Sequence, residues 1–382
     1  MFLHREAQMA AIERDLNPSP RLLLGPGPSM VPPRVLRAMA TPLLGHLDPE
    51  FIAILMDLQD LLRRVFQTGN RLTLAVPGSG TAAMEAALVN LIEPGDRVLA
   101  CVHGFFGDRL AEISRRLGAE VARLEVPWGQ AFDMDAISQS LQERPARIVT
   151  LVHAETSTGV RQPEIEAVAA ACHRHGALLV LDCVTSLGGL PVEVDAWDID
   201  VAYGAAQKCL SAPPGLSPIT VSPRAEEKIR SRRSPVPSLY LDLTMLDKYW
   251  NDPPVYHHTA SMSLAYALRE ALRLVMEEGL QERFERHERN AERLWKGLET
   301  LSLPPMIPLP FRLPTLTTIS LPAALDDAGL RRRLLREFNI EIGPGFGQLA
   351  GKVWRIGLMG YSSRPENVLT LLGALREVLP PA

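Results

Sequence analysis

Apolar and polar positions along this chain of 382 residues alternate between two periods. Residues 49–67 place Phe51, Ile54, Leu55, Leu58, Leu62 and Phe66 at helical spacing. The stretch LTLAVPGSGTAAMEAALVNLIEPGDRVLACVHG (72–104) reads as strand, Gly-Ser-Gly-Thr turn, helix to about Leu91, Pro-Gly turn and strand. The rhythm continues with a helix over 105–118, a strand over 118–126, a helix over 133–142 and a buried strand over 147–155. A helix over 164–176, closed by Gly176, leads into the continuous apolar run Leu178–Leu181 with Asp182 at its carboxyl end. This alternation predicts an α/β fold, a mostly parallel sheet with helices on both faces. After Pro223 the pattern breaks, and residues 224–263 read as irregular, with several prolines and aromatics. Helical spacing returns over 264–278 and 280–301, and residues 315–378 read β-α-β-β-α. The expected division is therefore an N-terminal arm (1–21), a large domain (22–278) and a small C-terminal α+β domain (279–382).

Composition narrows the function classes. With 46% apolar and 22% charged residues, the chain is an ordinary globular one. A net charge of −4 gives no pull toward nucleic acid or an anionic membrane, and neither is expected as a partner. No apolar run is long enough to span a bilayer, the N-terminal stretch is charged and amphipathic, and Pro380-Pro381-Ala382 is no peroxisomal address, so a cytoplasmic location is expected. Cys101, Cys172, Cys183 and Cys209 lack metal-ligand spacing and read as reduced thiols, so no metal is expected.

Candidate chemistry centres on Lys208. Only five of the 40 basic residues are lysines, and four of them sit among polar or charged neighbours. Lys208 instead stands between the small apolar run Val201–Ala206 and the breaker Pro213-Pro214-Gly215. A desolvated lysine has a lowered pKa, and its free amine attacks carbonyl carbon to give a Schiff base. An isolated loop lysine would be read as ordinary, but Asp182 lies 26 residues upstream at a strand end, where open α/β sheets place ligands. A lysine for an aldehyde and a carboxylate for a pyridine nitrogen suit pyridoxal phosphate; Asp182 taken alone reads equally well as a turn acid. The turn Gly78-Ser79-Gly80-Thr81 opens a helix whose free amides could hold a phosphate, or it is simply a tight connection. Arg355 lies in the apolar run KVWRIGLMG, where its fork matches an α-carboxylate; a buried ion pair with a protein acid is the other reading.

The segments LLLGPGPS (22–29), GSGTAAMEAALVNLIEPGD (78–96), HAETSTGVRQP (153–163), LLVLDCVTSLGG (178–189), QKCLSAPPG (207–215), YHHTASMSLAYALREAL (256–272) and KVWRIGLMG (352–360) together resemble the fold-type I pyridoxal-phosphate enzymes. Within these the chain resembles the class V aminotransferases of the alanine–glyoxylate and serine–glyoxylate (serine–pyruvate) group. The resemblance implies a seven-stranded large-domain sheet and a homodimer with shared active sites. It implies transamination from L-alanine or L-serine to glyoxylate or pyruvate. Lys208 would bond the cofactor aldehyde and then move a proton, Asp182 would pair with the ring nitrogen, Val184 would pack under the ring and Phe106 over it, where many relatives carry Trp. Ser79, Gly80, Thr81 and Gln207 would hold the phosphate, with His the usual residue at the Thr81 position. Tyr256 and Thr259 would reach it from the neighbouring subunit, with His257 and His258 structural. Gly27, Ser157 and Arg355 would bind substrate. Other readings are a pyridoxamine–pyruvate aminotransferase, which a degraded phosphate cup would favour, and a cysteine desulfurase or related lyase, which would want a reactive cysteine late in the chain. A non-catalytic relative would have lost the lysine or its acid.

Overall fold

The computed structural model describes residues 16–251 and 253–380. Residues 1–15 of the expected N-terminal arm lie outside the described residues. Seven strands form the main sheet, in the order Leu72–Gly78, Gly215–Val221, Val201–Tyr203, Leu178–Asp182, Ile148–Val152, Arg97–Val102 and Glu120–Glu125. Gly215–Val221 runs antiparallel to both neighbours and every other pairing is parallel. The inner strands are buried along their length, as a sheet covered on both faces requires. Helices Gly80–Leu91, Phe105–Arg116 and Ile165–Arg174 fall where the spacing places them.

The sequence pattern misses three features. Val201–Tyr203 is too short to register as a strand. Gly215–Val221 contains Pro218, which argues against a central strand. Its missing N–H is tolerated because Pro218 lies just beyond the ladder with Val201–Tyr203, which spans Ile219–Val221. The expectation that 224–263 is irregular is corrected by helices Pro223–Arg230 and Leu243–Trp250. Both carry side-chain caps, Ser222 accepting from Ala225 N and Asp242 from Thr244 N and Met245 N.

Buried apolar side chains form two large clusters. One runs from Val35 to Val275 around the main sheet. The other joins Leu294–Val378 with Leu24 around an antiparallel sheet of Leu316–Ser320, Val353–Gly357 and Gly343–Pro344. Leu22–Leu23 pair in parallel with Ile340–Glu341, so this early strand is built into the second cluster although the expected division assigns it to the first. Helix Met262–Glu278 meets helix Leu280–Thr300 at Gly279, whose φ of 84° suits glycine. No described helix is long and apolar enough to cross a membrane.

Candidate active site

The carboxyl ends of the parallel strands converge on one small cavity of about 140 Å³. It is lined by Ser79, Gly80, Thr81 and Gln207, by Phe106 and Val184, and by Asp182 and Lys208. Eight residues singled out in the sequence are thus brought together. Two wider clefts, of about 610 and 690 Å³, lie elsewhere and are rich in arginine. Many of those arginines are bound to carboxylates or carbonyls, as with Arg71, Arg34 and Arg286.

Lys208 is gripped by the GPGPS loop. Its Nζ donates to Pro26 O, Ser29 Oγ donates to Lys208 O at 2.8 Å, and Ser29 N donates to Gln207 O at 2.8 Å. Gly27 has φ of 108°, and a Cβ there would stand 2.7 Å from Nζ, so only glycine leaves room for the amine. Burial, with the Arg355 charge adding to it, lowers the Lys208 pKa to about 8. On the other side of the loop, Arg283 holds Cys209 O and Gly188 O, at 2.5 and 2.8 Å.

Asp182 ends its strand almost wholly buried. Val184 N donates to Oδ1 at 2.9 Å and the Tyr203 hydroxyl to Oδ2 at 2.8 Å. Even so, burial raises its pKa to about 7. A carboxylate fixed this way gains its charge once a cation meets it, and a protonated pyridine nitrogen is such a cation.

Ser79 is the N-cap of helix Gly80–Leu91, yet its side chain makes no capping bond. The hydroxyl and the first amides of the helix are therefore free for an anion. The Gln207 side-chain amide makes no hydrogen bond among the described residues, its Oε1 being buried and unpartnered, so its N–H2 group is free to donate to an anion. A Cβ on Gly80 would meet Val184 Cγ2 at 3.1 Å and Ala205 Cβ at 3.2 Å, so glycine keeps the backbone close to the cavity. A desolvated amine, an uncompensated carboxylate and a row of free donors fit pyridoxal phosphate.

Arg355 projects from strand Val353–Gly357 and is 1% exposed. Nε donates to Pro344 O at 2.7 Å and Nη1 to Thr156 O at 3.1 Å, and the guanidinium stacks 4.0 Å from the Phe346 ring centroid. Among the described residues it forms no ion pair and Nη2 takes no partner, which disfavours the buried salt-bridge reading. Burial lowers its pKa to about 10, with Glu155 acting against that. Phe346 went unremarked in the sequence, and its one signal was an aromatic residue inside the glycine loop GPGFGQLAG.

Ser157 is not brought to the cavity wall. Its hydroxyl donates to Glu155 Oε1 at 2.6 Å and accepts from Phe105 N at 2.9 Å. Glu155, fully buried and also missed in the sequence, receives Phe106 N at 3.2 Å and Gly107 N at 3.3 Å. The pair closes the start of helix Phe105–Arg116 and so sets Phe106. Tyr256 and Thr259 are exposed and do not line the cavity of their own chain. Tyr256 meets His46 edge-on at 5.3 Å, and His257 and His258 bond to each other at 2.8 Å.

This architecture is that of the pyridoxal-phosphate transferases of fold type I. Residues 21–348 match the family described as aminotransferase class-V, and the chain belongs to that family. It is similar to the (S)-ureidoglycine–glyoxylate transaminase of Bacillus subtilis (strain 168), 42% identical over 96% of this chain and 92% of that one. Alanine–glyoxylate aminotransferase of Mus musculus is 41% identical over 97% of this chain and 90% of that one. The crystal structure of an alanine–glyoxylate aminotransferase from Nostoc sp. superposes with a TM-score of 0.95 at 51% identity, covering 96% of this chain and 97% of that one. The chain is an aminotransferase, and its family implies pyridoxal phosphate as cofactor.

Proposed function

We propose that this chain transfers the amino group of a small neutral amino acid, L-alanine or L-serine, to glyoxylate or pyruvate in two alternating half-reactions. The observation that carries this reading is the buried guanidinium of Arg355, which forms no ion pair among the described residues. It offers one planar site for one carboxylate just behind the cavity wall, where it bonds to Thr156 O, and among the described residues no arginine or histidine lines the cavity itself. A donor with a second carboxylate would bring a charge that meets no second arginine on the cavity wall. Glyoxylate as acceptor is common to the names of the relatives above.

When bound, pyridoxal phosphate supplies an aldehyde for the amino group and a ring that withdraws electrons from substrate Cα. Lys208, with its pKa drawn down to about 8, has more of its amine in the free-base form near neutral pH than an ordinary lysine. That amine holds the cofactor and later takes the proton from substrate Cα. Asp182 keeps the ring nitrogen protonated, Phe106 and Val184 cover the ring, and Ser79, Gly80, Thr81 and Gln207 hold the phosphate. Gly27 leaves space for the amine and substrate beside it. Arg355 orients the carboxylate.

Two alternatives lose support. A pyridoxamine–pyruvate aminotransferase would not need the phosphate donors that line this cavity. A cysteine desulfurase needs an accessible thiol, and all four cysteines are buried. The active form is a homodimer. Its support is the apolar surface left open around Leu43, Leu47, Leu239, Val255 and Tyr256, which a second copy would cover while carrying Tyr256 and Thr259 to the neighbouring phosphate.

The test is a donor panel with glyoxylate: L-alanine, L-serine, (S)-ureidoglycine, L-aspartate and L-glutamate, compared by kcat/KM. The expected result is a preference of at least about tenfold, roughly 1.4 kcal/mol, for L-alanine or L-serine over both dicarboxylates. A preference for aspartate or glutamate would overturn the assignment of substrate class. Preference for (S)-ureidoglycine would keep the acceptor and replace the donor.

A further inference from the structure

We propose that Arg109 supplies the positive charge of the phosphate cup and thereby selects the phosphorylated over the unphosphorylated form of the cofactor. The inference rests on reading the cavity as the cofactor site.

The donors of the cup are neutral: the Ser79 and Thr81 hydroxyls, the Gln207 amide and the first amides of helix Gly80–Leu91. A phosphate monoester carries about −1.5 to −2 charges near neutral pH, and a helix start contributes about +0.5. Lys208 serves the aldehyde and Arg355 the substrate carboxylate, so a further cation near the cup would add attraction that neither of them supplies.

Arg109 stands at the rim of the cup. Its Nη1 donates to Thr81 Oγ1 at 3.2 Å. The guanidinium lies 4.9 Å from the Phe105 ring centroid and 5.3 Å from that of Phe106, which itself lines the cavity. Carboxylates on its own helix are engaged elsewhere, Asp108 with Arg123 and Glu112 with Arg115 and Arg116. Glu85 shares a shallow groove with Arg109 but forms no ion pair with it. Arg109 thus has no ion-pair partner among the described residues.

The bond to Thr81 has a second effect. A hydroxyl has one proton and two lone pairs. Because Arg109 donates to Thr81 Oγ1, the hydroxyl proton is left to donate toward another acceptor. Arg109 therefore acts as a positioning residue: it adds charge at the rim and turns threonine into a donor.

The experiment titrates the full-length chain, freed of cofactor, with pyridoxal phosphate and separately with pyridoxal, following visible absorption at fixed ionic strength. Wild type is compared with Arg109→Gln and Arg109→Lys. Arg109→Gln is expected to weaken pyridoxal phosphate binding about ten- to hundredfold and to leave pyridoxal within about threefold, with Arg109→Lys recovering much of the loss. Equal loss for both ligands, or no loss for either, would overturn the proposal, since a merely structural role cannot distinguish them. If Arg109→Gln fails to fold, Arg109→Met keeps the stem against Phe105 and Phe106 and carries the same comparison. Should wild type itself not prefer pyridoxal phosphate, the cofactor-site reading fails; should it prefer it and Arg109→Gln match it, this inference alone fails.

Discussion

Replacing Lys208 with alanine is expected to lower turnover by about 10⁴-fold or more, because one amine both anchors the cofactor and moves the substrate proton. Pyridoxal phosphate should still bind noncovalently, since Asp182 and the donors around Ser79 and Gln207 are untouched. Assay of initial rates with L-alanine and glyoxylate, beside a cofactor count per chain, reads both. Turnover within tenfold of wild type would remove Lys208 from its role. The same variant tests the shared site. Mixed and re-paired with a Tyr256→Ala chain, it should regain about a quarter of wild-type activity, because half of random dimers are mixed and one site in each is intact. A mixture no more active than the average of the two variants assayed alone would mean that Tyr256 does not complete a neighbouring site.

Replacing Arg355 with alanine is expected to lower kcat/KM for donor and acceptor by about 30- to 1000-fold, the cost of about 2–4 kcal/mol for removing one partner of a buried charged pair. The cofactor affinity should stay within about threefold. The distinction matters because Arg355 also donates to Pro344 O and Thr156 O and stacks on Phe346. If cofactor and substrate binding fell together, those contacts would be its purpose and the carboxylate role would be lost.

How much of this was legible in the sequence depends on how local the chemistry is. Asp182 and the turn Gly78–Thr81 were readable because each sits at a strand end with a break in apolar patterning beside it, and Lys208 because it stands between a small apolar run and a proline–glycine breaker. Phe106, Val184 and Gln207, which share the cavity wall with them, carry no such mark and were placed there only by the family resemblance. Ser157 lies off the cavity wall because a hydroxyl at a strand end can face either way, and the buried Glu155 claims it. Phe346 and Arg109 act across distances of sequence that no spacing encodes, one beneath Arg355 and the other beside Thr81. The strand Gly215–Val221 was hidden by Pro218, whose cost vanishes only once the neighbouring ladder is known to be short. The helices Pro223–Arg230 and Leu243–Trp250 announce themselves only through Ser222 and Asp242, weak signals in a proline-rich stretch.

The most direct test of the central claim is the visible absorption of the purified chain with pyridoxal phosphate bound, followed through additions of L-alanine or L-serine and then glyoxylate. The account predicts that the visible band bleaches with the amino acid alone, in the absence of any acceptor, and returns when glyoxylate is added. A band that neither amino acid bleaches, or one that bleaches and is not restored by glyoxylate or pyruvate, would contradict it.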